Sequence, residues 1–482
     1  MFKLFFLLIF ITVSINGETL PEVEREFRAV WIATVDNIDF PTKKTLSVEE
    51  QKAELIQDLE LAKELKLNAV IFQVRPMCDA VYNSEIEPWS EFLTGEMGKA
   101  QAFDPLQFLV EEAHKRGILV HAWFNPYRAY HPAAKTVSEN HISKRRPDLV
   151  RKYGNYLWLD PTDAEARAYS LSVVLDVVKR YDIDGVHFDD YFYPYPISEN
   201  GKKIEFPDDK NWNEYLATAQ KFSNQKMRRI PLERDNWRRA NVNQFIESVG
   251  REIKKIKPEI MYGISPFGVQ DVNYTELYAD PQKWLRDGTI DYFVPQLYWK
   301  IDRPNREFPI LLKFWESQNL KKRHVWAGIG TYKINQPKEN TNAQEIIDQI
   351  FLTRQIQQTA GNIQFSFKSV RNDFDGVQKA LREKVYSKAA VIPNSAWIKA
   401  PKIFAPKVKI RRDDKFVKAS WTEQGERKAF WFIVYAKDKN GWGYSILPAA
   451  TRSIALSADR KIEKIIVTSV DRLGNESQNR LQ

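Results

Sequence analysis

The sequence predicts an α/β protein in which a (β/α)₈ TIM barrel is followed by a small all-β sandwich. Eight short, mostly apolar runs recur along the 482 residues, and amphipathic stretches of helical period separate nearly all of them. Apolar strands that alternate with helices form a parallel sheet covered by helices. The count of eight favours closure into a barrel over the alternative, an open doubly wound sheet.

The predicted strands share an apolar core and a polar or aromatic end. They cover residues 27–35, 68–75, 118–126, 185–191, 260–267, 292–299, 324–332 and 362–370. The clearest predicted helices cover residues 48–66, 105–116, 164–180, 236–257 and 342–359. Residues 194–235 interrupt the alternation, and their Pro, Gly, Asp and Asn content predicts a long loop that shapes a substrate cleft or lid.

Both ends of the chain differ from this pattern. Residues 1–17 (MFKLFFLLIFITVSING) combine Lys3, a short apolar run and small or polar residues, which is typical of a signal peptide and too short for a comfortable membrane span. We expect the barrel over 25–390, a proline-containing linker over 391–402 and the sandwich over 403–482. The closing phrase VDRLGNES, residues 470–477, resembles the last strand of a fibronectin type III module.

Charge and cysteine content exclude several classes of protein. The net charge of +9 is spread along the chain, and we find no nucleic-acid-binding motif. Cys78 is the only cysteine, which excludes an internal disulfide and a lipid-anchored cysteine at the predicted cleavage site. We therefore expect a periplasmic or secreted protein with no transmembrane segment after signal cleavage. The sequence makes no prediction of the oligomeric state.

The strongest chemical signal is the carboxylate pair Asp189–Asp190 at the end of the fourth predicted strand. Strand alternation directs His187 and Asp189 into the barrel and leaves Asp190 just beyond the strand. Adjacent carboxylates raise each other's pKa, which suits a general acid. The pair could instead bind a metal, form ion pairs with Arg75 or Arg128, or cap a turn. Metal binding is disfavoured because the histidines lack a tight ligand spacing, so no metal and no cofactor are expected.

Other polar and aromatic residues at the strand ends should meet the pair, because these ends share one rim in a barrel. Amide and guanidinium groups can bind sugar hydroxyls, and aromatic rings can stack on apolar sugar faces. For His121, a buried core position and a substrate contact remain equally open, whereas Arg75 could keep the carboxylates ionised. The predicted substrate-binding residues are Arg75, His121, Trp123, Asn125, Arg128, His187, Tyr191, Gln296, Tyr298, Trp299 and Tyr332.

Several motifs in order resemble the bacterial glycosyl hydrolase-like family ten, from about Arg25 to about Val385. They are FRAVWIATV (27–35), QVRP (73–76), EPWS (87–90), HAWFNPYR (121–128), DGVHFDDYFYP (184–194), WRRANVN (237–243), GISPFG (263–268) and PQLYW (295–299). The resemblance implies a (β/α)₈ barrel, an exported bacterial enzyme and hydrolysis of glycosidic bonds. It also implies a polysaccharide or oligosaccharide substrate, notably peptide-free peptidoglycan.

Two mechanisms fit these residues. In the first, Asp189 is the nucleophile and the acid comes from another strand end, with Asp271, Asp36 and Asp302 as candidates. In the second, which we favour, Asp189 and Asp190 act together on a 2-acetamido sugar, one as the acid and its neighbour orienting the acetamido group. The alternative functions are a non-catalytic carbohydrate-binding barrel and a metal-dependent polysaccharide deacetylase.

Overall fold

The structure is a computed structural model that describes residues 19–223, 232–339, 341–358 and 360–478. The predicted signal peptide lies outside these residues. Eight parallel strands form a closed barrel, in which the last strand pairs with the first. The strands are β1 (Phe27–Ile32), β2 (Ala69–Arg75), β3 (Leu119–Phe124), β4 (Gly185–Phe188), β5 (Met261–Ile264), β6 (Tyr292–Phe293), β7 (His324–Val325 and Ala327–Ile329) and β8 (Gly361–Gln364). The predicted barrel is thereby confirmed.

Helices cover the outside of the barrel, and their starts are set by the sequence. Ser47 and Glu50 form a capping box at the first helix, and Asp104 and Asp163 cap the next two long helices. The helices longer than five residues are α1 (Val48–Glu64), α2 (Pro105–Lys115), α3 (Ala164–Arg180), α4 (Asp209–Ser223), α5 (Arg234–Ile256), α6 (Gln270–Thr275), α7 (Pro281–Asp287), α8 (Phe308–Gln318) and α9 (Ala343–Ile356).

The region after β4 differs from the predicted loop. It contains a two-stranded hairpin, Ser198–Glu199 with Lys202–Lys203, and then the 15-residue helix α4. The helix was missed because the Pro, Gly, Asp and Asn content of residues 194–235 was interpreted as a loop. Its sequence, DKNWNEYLATAQKFS, does place apolar residues at helical spacing. A second addition is a three-stranded antiparallel sheet after β3, formed by Arg128–Tyr130, Val150–Tyr153 and Tyr156–Leu159.

Large rings fill the lower interior of the barrel. The rings of Phe27 and Trp326 stack with centroids 3.9 Å apart, and Tyr292 lies beside them. Glycines make room for these rings, since a Cβ at Gly263 would lie 2.1 Å from the Tyr292 ring and one at Gly361 would lie 2.2 Å from Trp326. The barrel is therefore a filled core that is open to a substrate only at the rim, the end at which the strands finish.

The C-terminal region is all-β, with two three-stranded antiparallel sheets. One sheet contains β9 (Lys407–Arg412), β10 (Phe416–Thr422) and β13 (Ser453–Ser457); the other contains β11 (Trp431–Asp438), β12 (Gly441–Pro448) and β14 (Lys464–Val470). The sequence predicts β-type runs over 407–411, 416–421, 430–436 and 464–470, so β12 and β13 were missed. The assignment to the fibronectin type III class stays a prediction.

The β-module, residues 407–470, packs against the end of the barrel opposite the rim. The Trp431 indole donates to the carbonyl of Gly117, just before β3, over 2.9 Å. Arg472 forms an ion pair of 2.6 Å with Asp182, just before β4. Trp431 also belongs to one apolar cluster with residues of the barrel interior. Within the described residues, no helix is both long and apolar enough to cross a membrane.

Candidate active site

The carboxylate pair lies at the rim because β4 alternates its side chains. Val186 and Phe188 face the helices, where the Phe188 ring stacks on Phe245 of α5 at 5.8 Å. His187 faces the barrel interior, and Asp189 and Asp190 follow the strand. Asp189 is 8% exposed and Asp190 is 2% exposed. Both carboxyl groups are therefore largely shielded from water.

Asp189 is surrounded by hydrogen-bond donors. One carboxylate oxygen accepts from Asn125 Nδ2 at 3.0 Å, and the other accepts from Gln296 Nε2 at 3.1 Å and from the backbone N–H of Asp190 at 3.0 Å. The Tyr191 hydroxyl also hydrogen-bonds to this carboxylate. Donors of this number and type favour the charged form of a carboxyl group. Asp189 is thus held in place as the acceptor of these donors.

A second row of side chains fixes these donors. Gln73 Nε2 and Arg128 Nη2 donate to Asn125 Oδ1 at 2.5 and 3.1 Å, which directs the Asn125 amide nitrogen toward Asp189. Arg128 Nη1 donates to the Tyr191 hydroxyl at 2.8 Å. Gln296 Nε2 also donates to the backbone carbonyl of Ser265 at 3.0 Å. The orientation of Asp189 is therefore set by residues from β2, the end of β3 and the loop after β6.

Asp190 has the opposite environment. Burial, and then the negative charge of Asp189, raise the pKa of Asp190 well above its usual range, although a hydrogen bond from the Tyr195 hydroxyl lowers it in part. The two residues are adjacent in the chain, and the Asp190 backbone N–H donates to Asp189 Oδ1 at 3.0 Å. One proton shared between two adjacent carboxyl groups leaves one of them ionised and the other protonated. Asp190 is accordingly the proton-carrying member of the pair.

The pair rests on a neutral network inside the barrel. His187 Nδ1 lies 3.1 Å from the Tyr292 hydroxyl, and His187 Nε2 lies 3.0 Å from Ser265 Oγ and 3.2 Å from Trp31 Nε1. Burial lowers the pKa of His187 well below its usual value, so this imidazole stays neutral. His187 supports the floor of the site and adds no charge to it.

Aromatic residues line the rim around the pair. The Tyr298 ring stacks on Phe365 at 5.7 Å and meets Tyr332 edge-on at 5.8 Å. Trp299 meets Phe267 edge-on at 5.4 Å, and the Arg306 guanidinium lies 5.0 Å from the Trp299 ring centroid. Tyr298, Trp299 and Tyr332 all remain partly exposed. These rings offer flat apolar surfaces of the kind on which sugars stack.

The structure brings together around Asp189 four of the predicted binding residues, namely Asn125, Arg128, Tyr191 and Gln296. Trp123 is 4% exposed, and its Nε1 has no hydrogen-bond partner in the described part of the chain. Tyr195 was not predicted from the sequence to belong to the site. Gln73 and Ser265 were expected only as polar residues at strand ends. A tyrosine five residues after Asp190, directly after Pro194, was the available signal for Tyr195.

Two predicted roles are wrong. Arg75 does not pair with the aspartates, because its buried guanidinium forms an ion pair of 2.6 Å with Glu87 and donates to the carbonyls of Asn125 and Pro126. It thereby holds the backbone on which Asn125 is placed. His121 is fully buried below the site, where its Nδ1 lies 2.8 Å from the Tyr292 hydroxyl. Of the two alternatives for His121, the core position is the observed one.

The three carboxylates suggested as separate acids are all exposed, unlike the pair. Asp36 and Asp271 are exposed, and Asp302 is 79% exposed and 3.6 Å from Lys300. Across the ranges that the structure describes, none of the three forms a hydrogen bond or ion pair with Asp189 or Asp190. The same ranges contain no group of three His, Cys, Asp or Glu side chains arranged to hold a metal ion.

The rim of this (β/α)₈ barrel carries two buried carboxyl groups in different environments and exposed aromatic rings. This arrangement is characteristic of the glycoside hydrolases. Residues 26–347 match the family glycosyl hydrolase-like 10, so this chain belongs to that family and is a glycoside hydrolase. It is 39% identical over 502 residues to the glycosyl hydrolase YngK of Bacillus subtilis, covering 97% of this chain and 94% of that protein. It is 32% identical to the glycosyl hydrolase DigH of Escherichia coli K12 over 386 residues, or 72% of this chain and 84% of that protein.

Among solved structures, the glycoside hydrolase domain of PgaB (BpsB) from Bordetella bronchiseptica is similar in part. It is 15% identical with a TM-score of 0.48, over 76% of this chain and all of that domain.

Proposed function

We propose that the chain is an exported hydrolase of O-glycosidic bonds in an amino-sugar polymer, specifically peptide-free peptidoglycan strands. Asp190 is the acid, and Asp189 orients the 2-acetamido group of the sugar that is attacked. The observation that carries this proposal is the pairing of two adjacent, buried carboxyl groups in opposite environments. Asp189 accepts from Asn125 and Gln296, whereas burial and the charge of Asp189 raise the pKa of Asp190. This pairing favours the second of the two mechanisms that fit the sequence.

The contact between the carboxyl groups argues against Asp189 and Asp190 forming a conventional catalytic pair with each other. A retaining glycosidase that uses its own nucleophile has its carboxyl groups about 5–5.5 Å apart, and an inverting one about 6.5–9.5 Å apart, with the sugar carbon between them. Two carboxyl groups in contact leave no room for that carbon. A nucleophile supplied by the substrate removes the need for this separation, because both aspartates can then lie on the same side of the sugar.

The chemistry then follows from the protonation states. The acetamido carbonyl oxygen attacks C1 of its own sugar while Asp190 gives its proton to the leaving glycosidic oxygen, so that the C1–O bond breaks and a cyclic oxazolinium forms. Asp189 accepts the acetamido N–H and stabilises the positive charge. Asp190, now a carboxylate, removes a proton from water, which attacks C1 and reopens the ring with retained configuration.

In the free enzyme, the two aspartates are already arranged for these reaction steps. Burial and the charge of Asp189 hold the pKa of Asp190 well above its usual range, so Asp190 carries a proton before substrate binds. When the acetamido N–H occupies Asp189, the Asp190 proton is free to turn to the glycosidic oxygen. Donors from Asn125 and Gln296 hold Asp189 in place throughout.

Other observations support the carbohydrate substrate and the location of the protein. Membership of the family supports a carbohydrate substrate. The composition of residues 1–17 supports export to the periplasm or the medium. The contacts of the β-module with the closed end of the barrel, far from the rim, support a bracing role for a module of fibronectin type III character.

Product analysis by mass spectrometry tests the proposal. Peptide-free peptidoglycan strands are incubated with wild type, Asp189→Asn and Asp190→Asn, and with Asp302→Asn as a matched control at an exposed carboxylate. We expect shorter saccharides from wild type and the control, and rates lower by about 10²–10⁴-fold in the two site variants. Cleavage that survives in both site variants would place the catalytic pair elsewhere.

The same assay addresses the alternatives. A carbohydrate-binding barrel would bind the strands without releasing saccharides, and a deacetylase would release acetate and lose activity with a chelator. Either result from a folded wild type would contradict the hydrolase proposal for this substrate.

A further inference from the structure

We propose that Tyr195 has two roles in this site: its hydroxyl positions Asp190, and its ring is the first stacking surface for the sugar on the leaving-group side. This inference rests on the proposed function and adds to it a positioning residue and a subsite. The sequence and the family match assign no role to this residue.

The first role follows from the bonds of Asp190. The Tyr195 hydroxyl donates to Asp190 Oδ2, and Asp189 is the neighbouring carboxyl group. In the described part of the chain, no other side chain hydrogen-bonds to Asp190. Burial raises the pKa of Tyr195, so this phenol remains a donor. Tyr195 therefore restrains the rotation of the Asp190 carboxyl group.

The second role follows from exposure. Although its hydroxyl is bonded inside the site, 43% of Tyr195 is exposed, which is unusual for a ring so close to two buried carboxyl groups. The ring lies 6.2 Å from Tyr191 and 6.3 Å from Phe267, and Phe267 leads to Trp299. Tyr195, Phe267 and Trp299 thus form a row of rings that starts at the acid.

The position of the general acid determines which sugar contacts this row of rings. A general acid must lie beside the glycosidic oxygen that it protonates, and Asp189 must lie beside the acetamido group of the attacked sugar. Tyr195 is bonded to Asp190, so its exposed ring lies on the side of the departing sugar. An apolar sugar face stacked on this ring would hold the leaving oxygen within reach of Asp190.

Two variants separate the two roles. Tyr195→Phe keeps the ring and removes the hydroxyl, so we expect KM to stay within about twofold and kcat to fall about tenfold. The hydrogen bond from Tyr195 lowers the pKa of Asp190, so its loss raises that pKa, and the alkaline limb of the kcat/KM profile moves to higher pH. Tyr195→Ala removes the ring as well and should additionally raise KM several-fold.

Tyr274→Phe is the matched control. Tyr274 is also an exposed tyrosine, at 38%, but its ring lies against the Arg239 guanidinium at 3.9 Å and makes no contact with the aspartates. We expect its kinetics and pH profile to equal those of wild type. Equal values of kcat, KM and the alkaline limb in Tyr195→Phe, Tyr195→Ala and the control would overturn both roles.

A readout without substrate separates this inference from the proposed function. The carboxyl carbons of 13C-labelled aspartate are titrated by NMR in wild type, Tyr195→Phe and Tyr274→Phe, and Asp190→Asn assigns the Asp190 signal. We expect a higher Asp190 pKa in Tyr195→Phe alone. That shift without cleavage of the strands would contradict the proposed substrate and leave the positioning role standing, whereas an unchanged titration would overturn the positioning role.

Discussion

At the scale of single residues, the site depends on giving two neighbouring aspartates opposite environments. Asp189 receives donors from Asn125 and Gln296, whereas Asp190 is buried against the charge of Asp189. Identical side chains therefore take different protonation states, and the chemistry of acid and orienting carboxylate follows from that difference.

The buried histidine His121 gives a residue-scale prediction about stability. Burial lowers its pKa to about 4, below the value of about 6.5 in an unfolded chain, so the unfolded state takes up a proton first as the pH falls. Stability from this group is therefore present at pH 7 and lost between pH 6.5 and 4. The free energy of unfolding of wild type relative to His121→Gln should fall by about 2 kcal/mol from pH 7 to pH 5. Urea unfolding at both pH values measures this, and a constant difference would contradict it.

Some residue roles could be predicted from the sequence and others could not. Strand alternation correctly directed His187 inward, because a period of two follows from local geometry. The role of Arg75 could not be predicted, because its partner Glu87 lies in the following loop and is brought back to it only by the fold. Tyr195 was missed for a similar reason, since only the turn after Pro194 places its hydroxyl on Asp190.

At the scale of elements, the loops at the rim are linked to one another. Glu91, on the short helix Glu91–Thr94 after β2, is fully buried and accepts from Lys44 Nζ at 2.6 Å in the loop after β1. It also accepts from the backbone N–H groups of Lys135 and Thr136 in the loop after β3, at 2.7 and 2.6 Å. One carboxylate thus holds three loops together beside the site.

Glu91→Gln tests this link. The amide keeps one acceptor but turns its NH₂ toward the Lys44 ammonium, so we expect a loss of roughly 1.5–3 kcal/mol in the free energy of unfolding. Limited proteolysis should also cut residues 131–141 faster. The control is Glu49→Gln, whose 83% exposed side chain forms a surface pair with Lys52. Equal unfolding and proteolysis in the two variants would rule out the link.

Element prediction succeeded where periodicity is strong and failed where tertiary contacts decide. The predicted helix over 164–180 agrees with α3, because Asp163 caps its start and its valines form one apolar face. The predicted strand over 292–299 shortened to Tyr292–Phe293, because the residues after it turn outward to form the rim. Helix α4 was missed although its apolar residues have helical spacing, because the Pro, Gly, Asp and Asn residues around it indicated a loop.

At the scale of the whole molecule, the β-module completes the closed end of the barrel. β11 is buried on both faces: Trp431, Ile433 and Tyr435 belong to the cluster that includes the barrel interior, and Phe432 and Val434 face the second sheet of the module. The module and the site therefore lie at opposite ends of the barrel, so the module contributes to stability without touching the substrate.

Trp431→Ala tests this division. Removing a 3% exposed indole that also donates to Gly117 should cost about 3–5 kcal/mol of unfolding free energy, while kcat/KM of the folded protein stays unchanged. Phe416→Ser, at a 41% exposed ring on the outer sheet, is the control and should change neither. Guanidinium unfolding and saccharide release measure the two quantities. A lower kcat/KM in the folded Trp431→Ala protein would show that the module acts on the site.

The central claim is that the substrate's own acetamido oxygen is the nucleophile beside Asp189 and Asp190. The most direct measurement compares cleavage of N-acetylated strands with strands that are de-N-acetylated and then N-trifluoroacetylated, a change that keeps the shape and weakens the carbonyl oxygen as a nucleophile. Lysozyme, which uses a protein carboxylate, is the control enzyme. We predict that the trifluoroacetyl strands lose at least about 10²-fold in rate with this protein relative to any loss with lysozyme. Equal losses with the two enzymes would contradict the account and return the nucleophile to a protein carboxylate.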